Sequence, residues 1–245
     1  MRITRFRIAM MLITFLAAAG ATVVVLVRHE PDFYRRAAVA GGPQRLEISN
    51  EFFVRDFVPF VANFDGGREE WKAKFTQEQI NSFFEEDFIR FGDADYFRKI
   101  GIVNPRVEFT DGVIRIGFRY GTGWWSTVLS YDLKIWLAKN EVNVIAIEIQ
   151  RRRAGAMSIP TQQIFKELKD VGRRQNIEVE WYRRNGNPVA IVKFQSDRPR
   201  PTAQLYNIKI EDGAVHLEGQ SIDSVQIPPE EPVKKTPEVV SQTAP

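Results

Sequence analysis

From Ile8 to Val27 the chain reads IAMMLITFLAAAGATVVVLV, with no charged residue between Arg7 and Arg28. A helix of about 20 residues spans ~30 Å, the hydrocarbon thickness of a bilayer. Thr14 and Thr22 carry the only polar side chains in the run, and a helix satisfies its own backbone groups where no water reaches them. The expectation is a transmembrane anchor at 8–27 behind a short tail, 1–7. A cleaved secretory signal is the alternative, with Arg2, Arg5 and Arg7 as its basic start and Ala17, Ala18, Ala19 and Ala21 as small residues for cleavage. Against cleavage, the apolar run continues through Val23, Val24, Val25, Leu26 and Val27, beyond the ~7–15 residues of a signal core. Arg28, Arg35 and Arg36 nearly balance the arginines before the helix, so charge alone orients it weakly. A tail this short ahead of a large domain favours a cytoplasmic N-terminus and an extracytoplasmic domain in the cell membrane.

Beyond the anchor the chain divides into a juxtamembrane linker (28–44), an α+β domain (45–225) and a Pro-rich tail (226–245) with too little apolar sequence to build a core. The 34 basic residues are nearly matched by 31 acidic ones, for a net charge of +3, which gives no case for a nucleic-acid partner. Arg151, Arg152 and Arg153 form the densest basic run. It reads as a solvated turn, with a contact to anionic lipid as the alternative. There are no cysteines, which excludes disulfides, thiolate catalysis and cysteine-based zinc sites.

Within the domain, 44–65 reads as a short helical or mixed segment that Pro59 would interrupt. Thr76-Gln77-Glu78-Gln79 is a capping box, and Ile80, Phe83, Phe84, Phe88 and Phe91 then recur at helical spacing to make one broad apolar face. From Asn104 the period changes to two. Val107 and Phe109 lead into Thr110-Asp111-Gly112, and Ile114, Ile116 and Phe118 lead out of it. A long strand is expected over 124–138 and another over 142–150, which makes a four-stranded antiparallel meander. A second helix near Thr161–Gly172 and a second block of strands follow, with turns at Asn185-Gly186 and Asp212-Gly213. VEFTDGVIRIG (107–117) and IKIEDGAVHLEG (208–219) resemble each other around their Asp-Gly turns. The expected fold class is α+β, a curved antiparallel sheet packed on one or two helices behind a single transmembrane helix.

Catalytic patterns are missing from the residues. His29 abuts the anchor, His216 sits in a strand, and neither has a second histidine at metal-ligand spacing. No nucleophile elbow, P-loop or dinucleotide-binding glycine pattern occurs. Adjacent Glu85 and Glu86 point apart on a helix, and Asp93 with Asp95 is a short acidic loop. No enzymatic activity, cofactor or metal is expected.

The aromatic supply, 18 Phe and 5 Trp, is more informative. One reading is a helix packed on a sheet. The sharper one is an apolar cleft between them, lined by Ile80, Asn81, Phe83, Phe84, Phe88, Trp124, Trp125 and Trp136, that takes an acyl chain. Adjacent strand residues face opposite ways, so one ring of Trp124-Trp125 is expected to leave the core for lipid headgroups, a groove or a partner.

FTQEQINSFF (75–84) resembles the opening motif of YpmS-type anchored extracytoplasmic proteins, and GAMSIP (155–160) is similar to their G-x-[LM]-x-[IVL]-P step. The Asp-Gly hairpins are similar to those of the AsmA and tubular lipid-binding groups. The resemblance covers Phe75 to Gln220, with Asn81 at the motif's asparagine, and implies a sheet wrapped around a helix and a role with lipids or envelope polymers. The leading expectation is a non-enzymatic anchored domain that binds an apolar or amphipathic ligand such as lipid. The alternative is an accessory subunit with a protein partner in envelope assembly or secretion.

Overall fold

The computed structural model describes residues 2–63, 70–87, 99, 101–138, 141–159, 177–195 and 201–222. The helix expected near Thr161, the Asp93/Asp95 loop, Phe88, Phe91 and the Pro-rich tail lie outside these residues, as does the side chain of Trp125.

Helix α1 (Arg2–Arg28) contains the apolar run and ends on a basic residue. Its apolar window has a mean hydropathy of 2.5 and buries none of its residues in the protein. By length and composition it is able to cross a membrane. Thr14 and Thr22 return their hydroxyls to the carbonyls of Met10 and Ala18, so both hydroxyls of the apolar run are paired.

The segment expected as a linker carries a short helix, α2 (Asp32–Arg36), which buries Phe33 and Tyr34. Next, α3 (Pro43–Glu51), a π-helical stretch (Phe52–Phe57) and α4 (Val58–Ala62) run on without a break. The expected interruption at Pro59 does not occur. Proline lies at the start of α4, behind the wider π turn, where its missing N–H and fixed φ are tolerated.

Strand β1 (Glu70–Thr76) was not expected, although Trp71, Ala73 and Phe75 alternate within it. It leads directly into α5 (Gln77–Glu86), where the capping box forms as read: the Gln79 amide donates to Thr76 Oγ1 at 3.2 Å, and the Thr76 amide to Gln79 Oε1 at 2.9 Å.

Then come β2 (Ile102–Thr110), β3 (Val113–Tyr120), β4 (Thr127–Leu137), β5 (Val144–Ala154), β6 (Met157–Ser158), β7 (Glu178–Arg184), β8 (Asn187–Lys193), β9 (Ala203–Glu211) and β10 (Ala214–Ser221). The meander β2-β3-β4-β5 is present. The fold is α+β, as read. Among the described residues the strands form two antiparallel sheets, one ordered β1-β10-β9 and the other β2-β3-β4-β5-β8-β7, with β6 beside β5.

The two sheets share an interior. Phe52, Phe75, Val107, Phe109, Ile210 and Val215 form one buried cluster, and Trp71, Ile145 and Leu205 another. Strand edges are closed by side chains. Asn81, 1% exposed, donates to the Val107 carbonyl and accepts from the Val107 amide, both at 2.8 Å. One helical turn away on α5, Gln77 accepts from the Phe109 amide. The outer edge of β2 is thereby used up, which blocks pairing with another chain. Asn143 does the same for β9, donating to the Ala203 carbonyl and accepting from the Leu205 amide.

Candidate functional site: the junction of α1 and the sheet

The last turn of α1 leaves carbonyls without helical partners, and the sheet supplies donors for them. The Ala156 amide donates to the Leu26 carbonyl at 2.8 Å, and the Thr127 hydroxyl donates to the Val27 carbonyl. Gly155 makes this approach possible. It has a left-handed φ of +58°, and a Cβ there would collide with the carbonyls of Leu26 and Val27. Glu30, just past the helix, pairs with Arg119 of β3 at 3.1 Å. Helix α1 is therefore fastened to the sheet by backbone, hydroxyl and ion-pair contacts.

Trp124 lies at the same place. The long strand expected from 124 begins instead at Thr127, because Gly121 (φ +87°) and Gly123 (φ +54°) turn the chain into a 3-10 turn over Gly123–Trp125. The alternation argument for the two tryptophans accordingly does not apply. Trp124 is 67% exposed, with the Arg28 guanidinium 4.1 Å from its ring centroid. A shallow groove of about 680 Å³ runs between this ring and Ala21, Val24 and Val25 of α1. Tyr120 is exposed at the end of the neighbouring strand.

The face of the sheet that carries α2 is the one turned away from the shared interior. Arg115, Gly117 and Arg119 alternate along β3 on this face. Across β4 they meet Asp132, Ser130 and Val128, and across β5 Arg151 and Arg153 continue the first two rows. Phe33 and Tyr34 of α2 lie over Gly117, where a Cβ would strike both rings, and cluster with Val128. Tyr34 donates its hydroxyl to the Asn104 carbonyl at 2.7 Å, and burial pushes its phenol above the ordinary value. The Arg35 hydrogen bond holds the Asp32 carboxyl below its ordinary value.

Arg151–Arg153 belongs to strand β5, which overturns the expected turn. The period of two sends Arg152 to the opposite face from its neighbours, where its Nε donates to the Ile159 carbonyl at 2.7 Å.

The eight cleft residues picked out in the sequence fall in several places. Ile80, Phe83 and Phe84 pack on the interior cluster. Phe83 stacks on Phe53 with the rings 3° from parallel, and meets Phe52 edge-on. Asn81 is committed to the backbone of β2. Trp136 lies on β4 under the Arg184 guanidinium, 5.1 Å from its ring centroid. Trp124 alone of the described members borders α1. The face of α5 is met by the rings of the π-helical stretch and by β2, and so is occupied by protein. The arginines of the outer face carried a sequence signal only in the alternation of Arg151 with Arg153, since their convergence with Arg115 depends on register across β4.

Among the described residues no three His, Asp or Glu side chains are grouped to hold a metal ion. No protein-family model matches the chain, and neither a curated protein nor a solved structure does.

Proposed function

We propose that this chain is a non-catalytic, membrane-anchored domain that works at the bilayer surface and binds an amphipathic, lipid-like ligand there. The observation that carries the reading is the fastening of α1 to the sheet beside an exposed tryptophan. A domain tethered only by a flexible linker samples all orientations, whereas Ala156 and Thr127 cap the end of α1 directly. The same sheet face is thereby held toward the headgroups. Trp124 and Tyr120 suit that depth, because amphipathic rings gather at membrane interfaces. The groove between Trp124 and the valines of α1 would take an acyl chain alongside the helix. Gly155, the seat of the anchor, is the first residue of the GAMSIP step that the YpmS-type resemblance singles out. In this reading the N-terminal tail is cytoplasmic and the domain extracytoplasmic.

The test uses the full chain in vesicles that contain lipids brominated near the headgroup. Tryptophan emission is expected to be quenched, and the quenched fraction to fall in Trp124→Phe. Quenching that is the same in both proteins would sink the reading.

A second reading, an accessory subunit with a protein partner, draws on a different surface. Leu46, Val54, Val58 and Val61 recur at helical spacing on the α3–α4 arm and are exposed. A photo-crosslinker at Val54 in native membranes would give one dominant protein adduct under this reading, and a diffuse ladder without it.

A further inference from the structure

The outer sheet face carries, next to the seat of α1, a cavity of about 350 Å³ between α2 and β3-β4-β5. Four arginines line it, Arg36, Arg115, Arg151 and Arg153, against Asp32 and Asp132. Their pairing is uneven. Glu108, largely buried, accepts from Arg36 at 2.8 Å and from Arg115 at 2.9 Å. Arg115 also lies 3.8 Å from Asp132, and Asp32 is engaged by Arg35. Arg151 and Arg153 have no ion-pair partner among the described residues, although they stand on the same face of one strand. Residues two apart on a strand sit roughly 7 Å from each other, so two guanidinium groups without an ion-pair partner among the described residues are held close together. Ser130, cross-strand from Arg153, adds a hydroxyl to the wall.

We propose that this cavity binds a phosphate oxyanion, and that the phosphate is the headgroup of an anionic lipid in the leaflet where α1 ends. A guanidinium offers a planar fork of donors that matches two oxygens of one phosphate, and it stays charged at all relevant pH values. Arg151 and Arg153 supply two such forks, while Arg36 and Arg115, tied to Glu108, form the back wall. The source follows from position. Gly155 and Ala156 line the cavity and also seat the carbonyl end of α1, so its mouth is level with the end of the membrane-spanning helix. Free phosphate shares the chemistry, but a lipid headgroup is already concentrated at that depth. The inference rests on the proposed apposition of this face to the bilayer.

The full chain is placed in nanodiscs of phosphatidylcholine with a minor share of phosphatidylglycerol, and retained lipid is read by native mass spectrometry. The expected result is phosphatidylglycerol adducts enriched over the bulk share, falling about tenfold or more in Arg151→Ala/Arg153→Ala. Arg151→Lys/Arg153→Lys should keep part of the enrichment, and Arg183→Ala/Arg184→Ala, on the distant strand β7, all of it. Far-UV circular dichroism confirms that each variant is folded. Equal retention of both lipids by the unaltered chain overturns the proposal, as does an equal loss from the β7 variant, which would mark charge without a site. A parallel run with inorganic phosphate separates the sources: a phosphate adduct that depends on Arg151 and Arg153, with no lipid preference, overturns the lipid assignment. Trp124 quenching in Arg151→Ala/Arg153→Ala keeps the two readings apart. Quenching without lipid preference defeats the cavity alone, and absent quenching defeats the apposition on which it rests.

Discussion

Gly112 and Gly213 hold equivalent places in two hairpins that meet tip to tip, and each donates its amide to the strand before the other's turn. The Gly112 amide reaches the Ile210 carbonyl at 3.2 Å, and the Gly213 amide reaches the Phe109 carbonyl at 3.1 Å. In the alignment of the two Asp-Gly segments, Phe109 and Ile210 are also equivalent. The exchange is thus reciprocal, as a local two-fold axis between the tips would make it. The sequence likeness has a structural counterpart in the joint that ties β2-β3 to β9-β10. Both glycines have left-handed backbones, φ +70° and +77°. Alanine at either is expected to cost about 1–2 kcal/mol. The double variant should depart from additivity by roughly 0.5 kcal/mol or more, because the sites share one joint. Urea denaturation of the four proteins in detergent reads both quantities, and strict additivity would show that the tips are independent.

Asn81 poses a different question, since it sits in the middle of an aromatic helix face without taking part in it. Replacing it by leucine keeps the forked heavy-atom shape but strands the buried amide and carbonyl of Val107. Each unpaired group costs about 1–3 kcal/mol, so Asn81→Leu should lose roughly 2–6 kcal/mol on the same scale. Hydrogen exchange at the Val107 amide should quicken well beyond the change in global stability. A loss under about 0.5 kcal/mol would mean that water replaces the side chain at an open edge.

The elements legible in the sequence are those set by neighbours in the chain. Thr76 and Gln79 cap α5 because each needs only the other. Asn185 and Gly186 turn β7 into β8 because both adopt positive φ, as a two-residue hairpin turn requires. What was missed depends on distant partners. Trp71, Ala73 and Phe75 alternate plainly, yet β1 exists because β10 comes alongside it, with Trp71 lying over Gly219 where a Cβ would strike the ring. Trp124 read as strand because the two flanking glycines signal a turn without fixing where it ends. The candidate site was the least legible part. Arg115, Arg151 and Arg153 converge only through the register of β3, β4 and β5, which no local pattern contains.

Gly155 offers a test of the fastening itself. Valine at this position would push a branched side chain into the carbonyls of Leu26 and Val27 and disfavour the left-handed backbone. Gly155→Val should release α1 while the two-sheet interior stays folded. The absence of cysteine makes spin labelling clean. Labels at Ala19→Cys on α1 and Tyr182→Cys on β7 should report a narrow distance distribution in the parent chain and a broad one in Gly155→Val. A distribution that stays narrow would show that the Glu30–Arg119 pair and α2 hold α1 without the cap.

Glu218 gives the pH dependence a definite sign. The Asn207 amide donates to Glu218 at 3.0 Å and Lys72 pairs with it at 3.0 Å, and together they hold the carboxyl below its ordinary value. A depressed folded value means that the link from β1 through β10 to β9 adds stability above the unfolded carboxylate value, about 4.3. That contribution disappears as the pH falls through the folded value. Lys72 is itself held above its ordinary value by the same hydrogen bond, so the two partners agree in direction. Carbon-detected NMR titration of Glu218 should show its midpoint rising toward the ordinary value in both Asn207→Ala and Lys72→Met. Salt separates the causes: the ion pair is solvent-exposed and screened, whereas the neutral amide is not. Raising the ionic strength should therefore shift Glu218 upward in the parent chain and in Asn207→Ala, and leave it nearly still in Lys72→Met. A salt response that survives the loss of Lys72 would assign the depression to other charges, His216 among them, instead of this pair.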